Sequence, residues 1–334
     1  MTRTILCVGF LSDPTFQHSV RIFGERARRP PLIVDLGAAR RGFWAHHEEG
    51  SASCRIRTSQ VDLTLRDEDV SLYQRIMPVM HGCRAGTRSW RGFKLAHYVF
   101  ERLLDAQFFS VVVNPLMAGW NNGARPIHFR FLAQLGFRIP PWLVTNDPAA
   151  ARRFVAEHGG DVFVKSVSAH RTIASRFSAV HARGLESLPN SPTLFQKAIH
   201  GPDVRVHVVG DQCFGVRITS PAEDHRHPGS CPVEYAPTEV PGEVAALCVK
   251  ATRELGLVIS GIDLRICERT GTWYGFEANP TPGYAHYDRH LGGQIAGALV
   301  EYLERPPAPP HRDEPRPRPD GRPQADPDRA PLAG

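Results

Sequence analysis

Three oxygen-bearing side chains fall on one candidate hairpin: Asp263 in GIDLRI, then Glu277 and Asn279 in GFEANP. Glu277 and Asn279 are two apart, so a strand that continues through Asn279 points both to one face, and Asp263 on the partner strand completes the set. Two carboxylates and an amide oxygen suit Mg²⁺, a hard cation that accepts few protein ligands and takes the rest from water and phosphates. The competing reading makes Asp263 and Glu277 solvated or ion-paired strand residues and Asn279-Pro280 a turn. Lys165 in FVKS favours the first, because a lysine in a buried strand costs desolvation unless an anion meets it. The polar loop at 166–175 follows it and offers amides and hydroxyls to phosphates. A lysine snorkelling from an edge strand is the alternative. Arg205 in DVRVHVV and Arg217 in FGVRI alternate with apolar residues, where they could offset charge on a transferring phosphoryl group. Taken singly, each also fits an ordinary surface arginine.

These residues need strands to hold them. Residues 193–199, 203–209 and 212–219 read as strands, the last two joined by a Gly210-Asp211 turn. Residues 260–267 and 272–278 form a hairpin across Glu268-Arg269-Thr270-Gly271, and Lys165 lies in a strand at 162–167. A helix at 125–135 ends at Gly136, and another, running to Gly159, opens with Asp147 as N-cap and Pro148 at its first position. A short strand at 142–145 and helices at 243–255 and 293–303 complete this part. Upstream, a strand at 4–10, an amphipathic helix at 15–28 and a strand at 32–36 alternate, which predicts a parallel α/β sheet and a small Rossmann-like start. The turn Gly9-Phe10-Leu11-Ser12-Asp13 lacks the glycine fingerprint of a dinucleotide site, so dehydrogenase chemistry loses its main support. Residues 61–73 are polar and weakly patterned. A helix at 96–106 and a buried strand at 108–113 close the region near Asn114-Pro115.

The 334 residues leave room for about two domains, and 42% apolar with 22% charged residues is ordinary globular composition. No apolar run reaches the roughly 18 residues of a membrane helix, and neither a signal peptide nor a membrane span is visible. Seven cysteines lie far apart without a CxxC spacing and read as reduced, mostly buried thiols in cytoplasm. The net charge of +6 comes with 36 Arg against 4 Lys, a bias that a GC-rich coding sequence produces. No nucleic-acid recognition motif accompanies it. Residues 305–334 hold ten prolines and a single large aliphatic, Leu332, and read as a disordered tail. The histidines at 170, 200, 207, 225 and 227 are scattered and read as surface or core residues. Arg26, Arg28 and Arg29, with Arg40 and Arg41, could attract an acidic peptide or simply form a solvated face.

The ordered series FVKS, LFQKAIHGPDVRVHVVGD, FGVRI, GIDLRI and GFEANPTPGY resembles the ATP-grasp superfamily, closest to its ribosomal-protein-S6-modification and glutathione-synthetase-like branch. The stretch GFRIPPWLVTNDP with the following helix looks like the central subdomain of peptide- and protein-modifying members. The resemblance implies an α/β (α+β) chain: a Rossmann-like domain at 1–114, a two-subdomain ATP-grasp fold at 115–304, and the tail. It implies a cytoplasmic ligase dependent on ATP and magnesium, with two metal ions, joining a carboxylate to an amine or hydroxyl through an acylphosphate. A peptide or protein is the implied substrate; no nucleic acid or membrane is expected, and homo-oligomerisation stays open.

By position, Lys165 would contact the α and β phosphates, with Ser166 and Ser168 in the phosphate loop. Gln196, Lys197, Ala198 and Ile199 would form the linker whose backbone bonds adenine, and Asp203 joins the nucleotide set. Asp263, Glu277 and Asn279 would hold magnesium, and Arg205 and Arg217 would offset charge on the acylphosphate. Three departures stand out: Arg125 replaces the first phosphate lysine, the phosphate loop carries Ala169 where glycine is usual, and Lys197 replaces the linker's acidic residue. They keep two alternatives in play, a non-catalytic nucleotide-binding module that regulates a partner and a small-molecule amino-acid ligase.

Overall fold

The computed structural model describes residues 2–37, 43–46, 53–76, 90, 94, 98, 108–115, 118, 120–167, 174–222, 229 and 231–306. Apart from Tyr98, which is helical, the expected helix at 96–106 lies outside these residues, as do Ser168, Ala169, Arg40, Arg41 and nearly all of the tail.

The alternating start forms as expected. Strands β1 (Thr4–Gly9) and β2 (Leu32–Asp35) pair in parallel around helix α1 (Pro14–Arg26), whose N-cap Asp13 accepts from Thr15 N at 2.8 Å. The next segments differ from expectation. The weakly patterned stretch contains β5 (Asp62–Arg66) and β6 (Val70–Gln74), and β6 pairs with β1 at the centre of a four-stranded parallel sheet of order β2-β1-β6-β7. Its residues Val70, Ser71, Leu72 and Tyr73 are all buried, so the strand is covered on both faces and shows no alternation. Of the buried strand expected at 108–113, only Val112–Val113 forms ladder bonds, as β7. Strands β3 (Phe43–His46), β4 (Ser53–Thr58) and β5 make a second, antiparallel sheet. Its Cys54, Ile56 and Leu65 pack on Leu6, Val8 and Leu72 of the parallel sheet.

Beyond Asn114 the helix at 125–135 forms as α2 (Arg125–Leu135), closed by Gly136 at φ +112°. Strand β8 (Trp142–Thr145) and helix α3 (Pro148–Glu157) follow, with Asp147 accepting from Ala149 N and Ala150 N. Strands β9 (Val162–Ser166), β10 (Ser175–Arg176) and β11 (Thr193–Lys197) join β8 in an antiparallel sheet of order β10-β9-β11-β8, beside a short helix α4 (Ala179–Gly184).

The larger antiparallel sheet has the order β14-β13-β12-β15-β16. It contains β12 (Asp203–Val209), β13 (Gln212–Thr219), β14 (Glu234–Thr238), β15 (Ile259–Ile266) and β16 (Trp273–Asn279). Helix α5 (Gly242–Glu254) and α2 cover one face, where Val204, Val206 and Val208 meet Leu132 and Cys248. The other face meets α6 (Ala285–His290) and α7 (Gln294–Glu304). Strand β14 and helix α6 were not expected from the sequence. Helix α7 also packs on α1 and β1, so one apolar cluster runs from Phe16 and Tyr73 through Ile295 and Leu299 to Val209 and Val216. No helix among the described residues is long and apolar enough to cross a membrane.

Candidate active site

Cross-strand register assembles the site. Arg205 on β12 stands opposite Asp263 on β15, which stands opposite Glu277 on β16. One position further along the same face, His207, Gly261 and Asn279 form the neighbouring row. The ladder slips between Asp263 and Leu264, where Phe276 is the extra residue of a bulge beside Glu277.

The two rows lock together. Arg205 is 8% exposed and its guanidinium is ion-paired to Asp263. Burial, the largest influence, would lower its pKa; the carboxylates of Asp263 and Glu277 and the Tyr287 hydroxyl outweigh burial and raise it, so the group stays charged. Turned about its amide, Asn279 accepts from Arg205 Nη1 at 3.1 Å and donates to Glu277 Oε1 at 3.0 Å, in exchange for the bond in which Asn122 Nδ2 donates to Asn279 Oδ1 at 3.3 Å. That orientation sets the amide oxygen 3.3 Å from Asp263 Oδ2, close to the roughly 3 Å edge of a Mg²⁺ octahedron. Asp263 is partly open to solvent. Among the described residues no group of three His, Cys, Asp or Glu is placed to hold a metal. Two carboxylates plus an amide fit Mg²⁺ rather than a softer ion that needs a full protein cage.

Across the cleft, Lys165 Nζ donates to Gln196 Oε1 at 2.8 Å and lies 5.6 Å from the Phe276 ring centroid. Lys165 therefore faces the bulge next to Glu277, as a phosphate-binding cation must if the same phosphates are to reach the metal ligands. Gln196 is 1% exposed and its Nε2 is a buried donor without a partner. These observations fit a magnesium–nucleotide complex between the two antiparallel sheets.

Other expected site residues are placed differently. Arg217 pairs with Val204, so it projects from the opposite face to Arg205 and is exposed; it does not join the row. Asp203 is held by Arg265 through two bonds of 2.6 and 2.8 Å, which makes it a support for the β12–β15 ladder. In the linker, Lys197 N donates to Pro141 O, Ala198 N donates to Asp161 O, and Ile199 O accepts from Arg265. These three backbone groups serve the fold. Arg125 Nη1 donates to Ser166 O at 2.9 Å, so it braces the end of β9. Ser168 lies outside the described residues. Arg26 donates to the carbonyls of Gly292 and Gly293, and Arg28 N donates to Glu304, so these two tie α1 to the C-terminal helices.

Several residues at the site had no sequence signal of their own. Gly261 leaves room for the Arg205 guanidinium, since a Cβ there would lie 2.3 Å from Nη2; a glycine inside a strand, two residues before Asp263, was the clue available. His207 is fully buried beside Arg205, within 5.1 Å of the Tyr287 ring, and burial holds it well below its ordinary pKa. His128, Asn122 and Phe276 also gave no local sign. The six described cysteines are free thiols, three of them buried.

A strand-borne acidic row facing a strand-borne lysine across a cleft between two antiparallel sheets defines an ATP-grasp protein. The model of the RimK-like ATP-grasp domain matches residues 127–303, more than half of the chain, and the chain belongs to that family. A probable alpha-L-glutamate ligase of Xanthomonas oryzae pv. oryzae is 31% identical over 154 residues, 45% of this chain and 48% of that protein. Human N-acetylaspartylglutamate synthase A is 30% identical over 154 residues, 43% and 39% of the two chains. The chain thus spans about half the length of the curated relatives it matches. The solved structure of ATP-grasp ligase PsnB complexed with a phosphomimetic variant of minimal precursor, Mg and ADP is 25% identical with a TM-score of 0.72, covering 91% of this chain and 98% of that one. Macrocyclase MdnC bound with precursor peptide MdnA from Microcystis aeruginosa MRC is 19% identical with a TM-score of 0.70, covering 90% and 99%, and speaks for the fold alone. These relatives are named as ligases, and the PsnB structure holds Mg and ADP.

Proposed function

We propose that this chain is a Mg-ATP-dependent ligase that activates a carboxylate of a peptide or protein and joins it to an amine, or to a hydroxyl in an ester-forming variant. The observation that carries the reading is the Arg205–Asp263–Glu277 row, with Asn279 beside it and Lys165 opposite. The γ-phosphoryl group would pass to a carboxylate oxygen, releasing ADP; the amine then attacks the acyl carbon, phosphate leaves, and the amine proton passes to solvent. Asp263, Glu277 and Asn279 would hold magnesium, which supplies charge neutralisation on the phosphate oxygens. Lys165 would bind the phosphates, and buried Arg205, held charged, would oppose charge developing on the transferred group. The peptide substrate rests on the likeness to ligases solved with precursor peptides. We place the Rossmann-like domain at 1–114 and the ATP-grasp domain at 115–304.

The test combines the purified chain, Mg-ATP and peptides rich in Asp, Glu, Lys, Ser and Thr. ADP formation together with a product one water lighter per bond is expected. Glu277→Gln should lower ADP formation by about 100-fold, because a carboxylate that fixes the metal is lost; unchanged ADP release would remove Glu277 from the site. The second reading, a nucleotide-binding module without turnover, draws on Arg125, whose guanidinium is engaged by the Ser166 carbonyl. Magnesium-dependent ADP binding with no ADP formed from ATP in the presence of any peptide would favour it.

A further inference from the structure

The two peptide groups that meet at Ala278, between Glu277 and Asn279, are both held on the strand edge away from β15. Ala278 N donates to His128 Nε2 at 2.9 Å, and Ala278 O accepts from Asn122 Nδ2 at 3.0 Å. Neither partner belongs to the sheet: Asn122 comes from the short 3-10 turn Trp120–Gly123 and His128 from the first turns of α2. Among the described residues β16 lies at the edge of its sheet, next to β15, with Arg138 bridged to Tyr274 on its outer side, so the outer N–H and C=O of Ala278 take their partners from outside the sheet. His128 is 2% exposed, and burial pushes its pKa down to about 4. Its ring is therefore neutral, with the Nε2 lone pair free to accept and the proton on Nδ1.

We propose that His128 and Asn122 are positioning residues that clasp the two peptide groups at Ala278 and so hold the Glu277 and Asn279 side chains in register with Asp263 for magnesium. The inference rests on the reading of those three residues as a magnesium site. The geometry is specific to this task. Side chains at 277 and 279 leave the strand on one face, and the orientations of the two peptide planes between them set the angle between their Cα–Cβ bonds. A bulge bends its strand and increases the local twist; the bulge lies at Phe276, and on its other side the outer edge is held where Gly275 N donates to Arg138 O at 2.8 Å. The clasp fixes both planes from the side opposite β15. Helix α2 carries Arg125 three residues before His128, on the same face, and Arg125 Nη1 binds Ser166 O at 2.9 Å. One helical turn thus touches both walls of the cleft, the β9 side through Arg125 and the metal side through His128.

The experiment is calorimetric titration of ADP into the full chain, with and without Mg²⁺, for the wild type, His128→Leu, His128→Gln and Asn122→Ala, beside thermal unfolding of each. The wild type should bind ADP more tightly with magnesium. His128→Leu fills the same space and removes the acceptor; it should lose about 10–100-fold in the Mg²⁺ concentration needed for that tightening, the usual cost of removing a group that orients a ligand. ADP affinity without metal should stay within about twofold. The amide oxygen of Gln can replace Nε2, so His128→Gln should recover most of the loss, a rescue that general packing at this position would not produce. Asn122→Ala, nearer the surface, keeps the question open to measurement if His128→Leu fails to fold, and it should shift the same magnesium dependence. Unaltered magnesium dependence in Asn122→Ala and in whichever His128 variants fold would overturn the proposal while leaving the magnesium site standing. A wild type whose ADP binding ignores Mg²⁺ would overturn both.

Discussion

Arg205 works because of what is missing next to it. Its guanidinium lies across Gly261, where a methyl group would come within 2.3 Å of Nη2, and it is buried, so it has little room to yield. Gly261→Ala should therefore cost about 1–3 kcal/mol by overpacking and lower ADP formation beyond what the lost stability explains. Urea unfolding and a single-turnover assay on the same preparation check this; a variant with unchanged turnover would show that Arg205 does not need that seat. His128 makes a second prediction. Its folded pKa, about 4 against an ordinary 6.5, means that the neutral ring is favoured by folding. Stability from this group is fully present above pH 6.5 and is lost as pH falls towards 4, a difference of about 3 kcal/mol. Urea midpoints between pH 7 and pH 4.5 should fall more steeply in the wild type than in His128→Gln. His207 adds to the same acid sensitivity, since burial and the Arg205 charge also lower its pKa.

At the scale of elements, caps and period-two patterns decide what forms, and register decides what meets. Helix α3 starts where Asp147 accepts from Ala149 N and Ala150 N at 2.9 and 3.2 Å. Asp147→Ala should destabilise the chain by about 1 kcal/mol, the usual cost of a lost N-cap, with ADP affinity unchanged; a scan of thermal unfolding with and without ADP reads both. This cap, the Gly136 stop of α2 and the strands β12, β13, β15 and β16 were all legible in sequence because each depends on residues close in the chain. Strand β6 was not, although it is central to its sheet. Burial on both faces removes the alternation that would mark it, and its polar preamble Asp67-Glu68-Asp69 reads as loop. The β3–β5 sheet lacked a hairpin signal for the opposite reason, since its residues alternate only over short stretches such as Cys54, Ile56 and Leu65. Arg217 shows the limit for the site: its strand was read correctly, but its face depends on pairing with Val204 rather than Arg205.

For the whole molecule, the strands that carry Asp263, Glu277 and Asn279 are anchored to the N-terminal sheet by a few buried polar side chains. Asn114, next to β7, accepts from Val258 N and Ile259 N and donates to Ile259 O and Pro280 O, all at 2.6 to 3.0 Å. Arg75 Nε binds Asp13 while its Nη1 donates to Pro282 O at 2.8 Å. Asn114→Ala strands several buried backbone groups and should cost about 3–5 kcal/mol; urea unfolding of that variant should show the lower midpoint, and a loss under about 1 kcal/mol would mean that the anchor is not needed. Helix α7 makes the same point in apolar terms, since Ile295 and Leu299 complete a core that begins with β1 and α1. The sequence alone determined the alternating start, the helix caps, the strands β12, β13, β15 and β16 and the chemical character of Asp263, Glu277, Asn279 and Lys165, because hydrophobic period, turn residues and donor type are properties of neighbouring residues. Tertiary structure alone decided that Arg205 and not Arg217 faces the acidic row, that Asp203 serves Arg265, that Gly261 seats a guanidinium and that His128 grips β16. Those outcomes depend on ladder register and on contacts between residues tens to hundreds of positions apart, which no local pattern encodes.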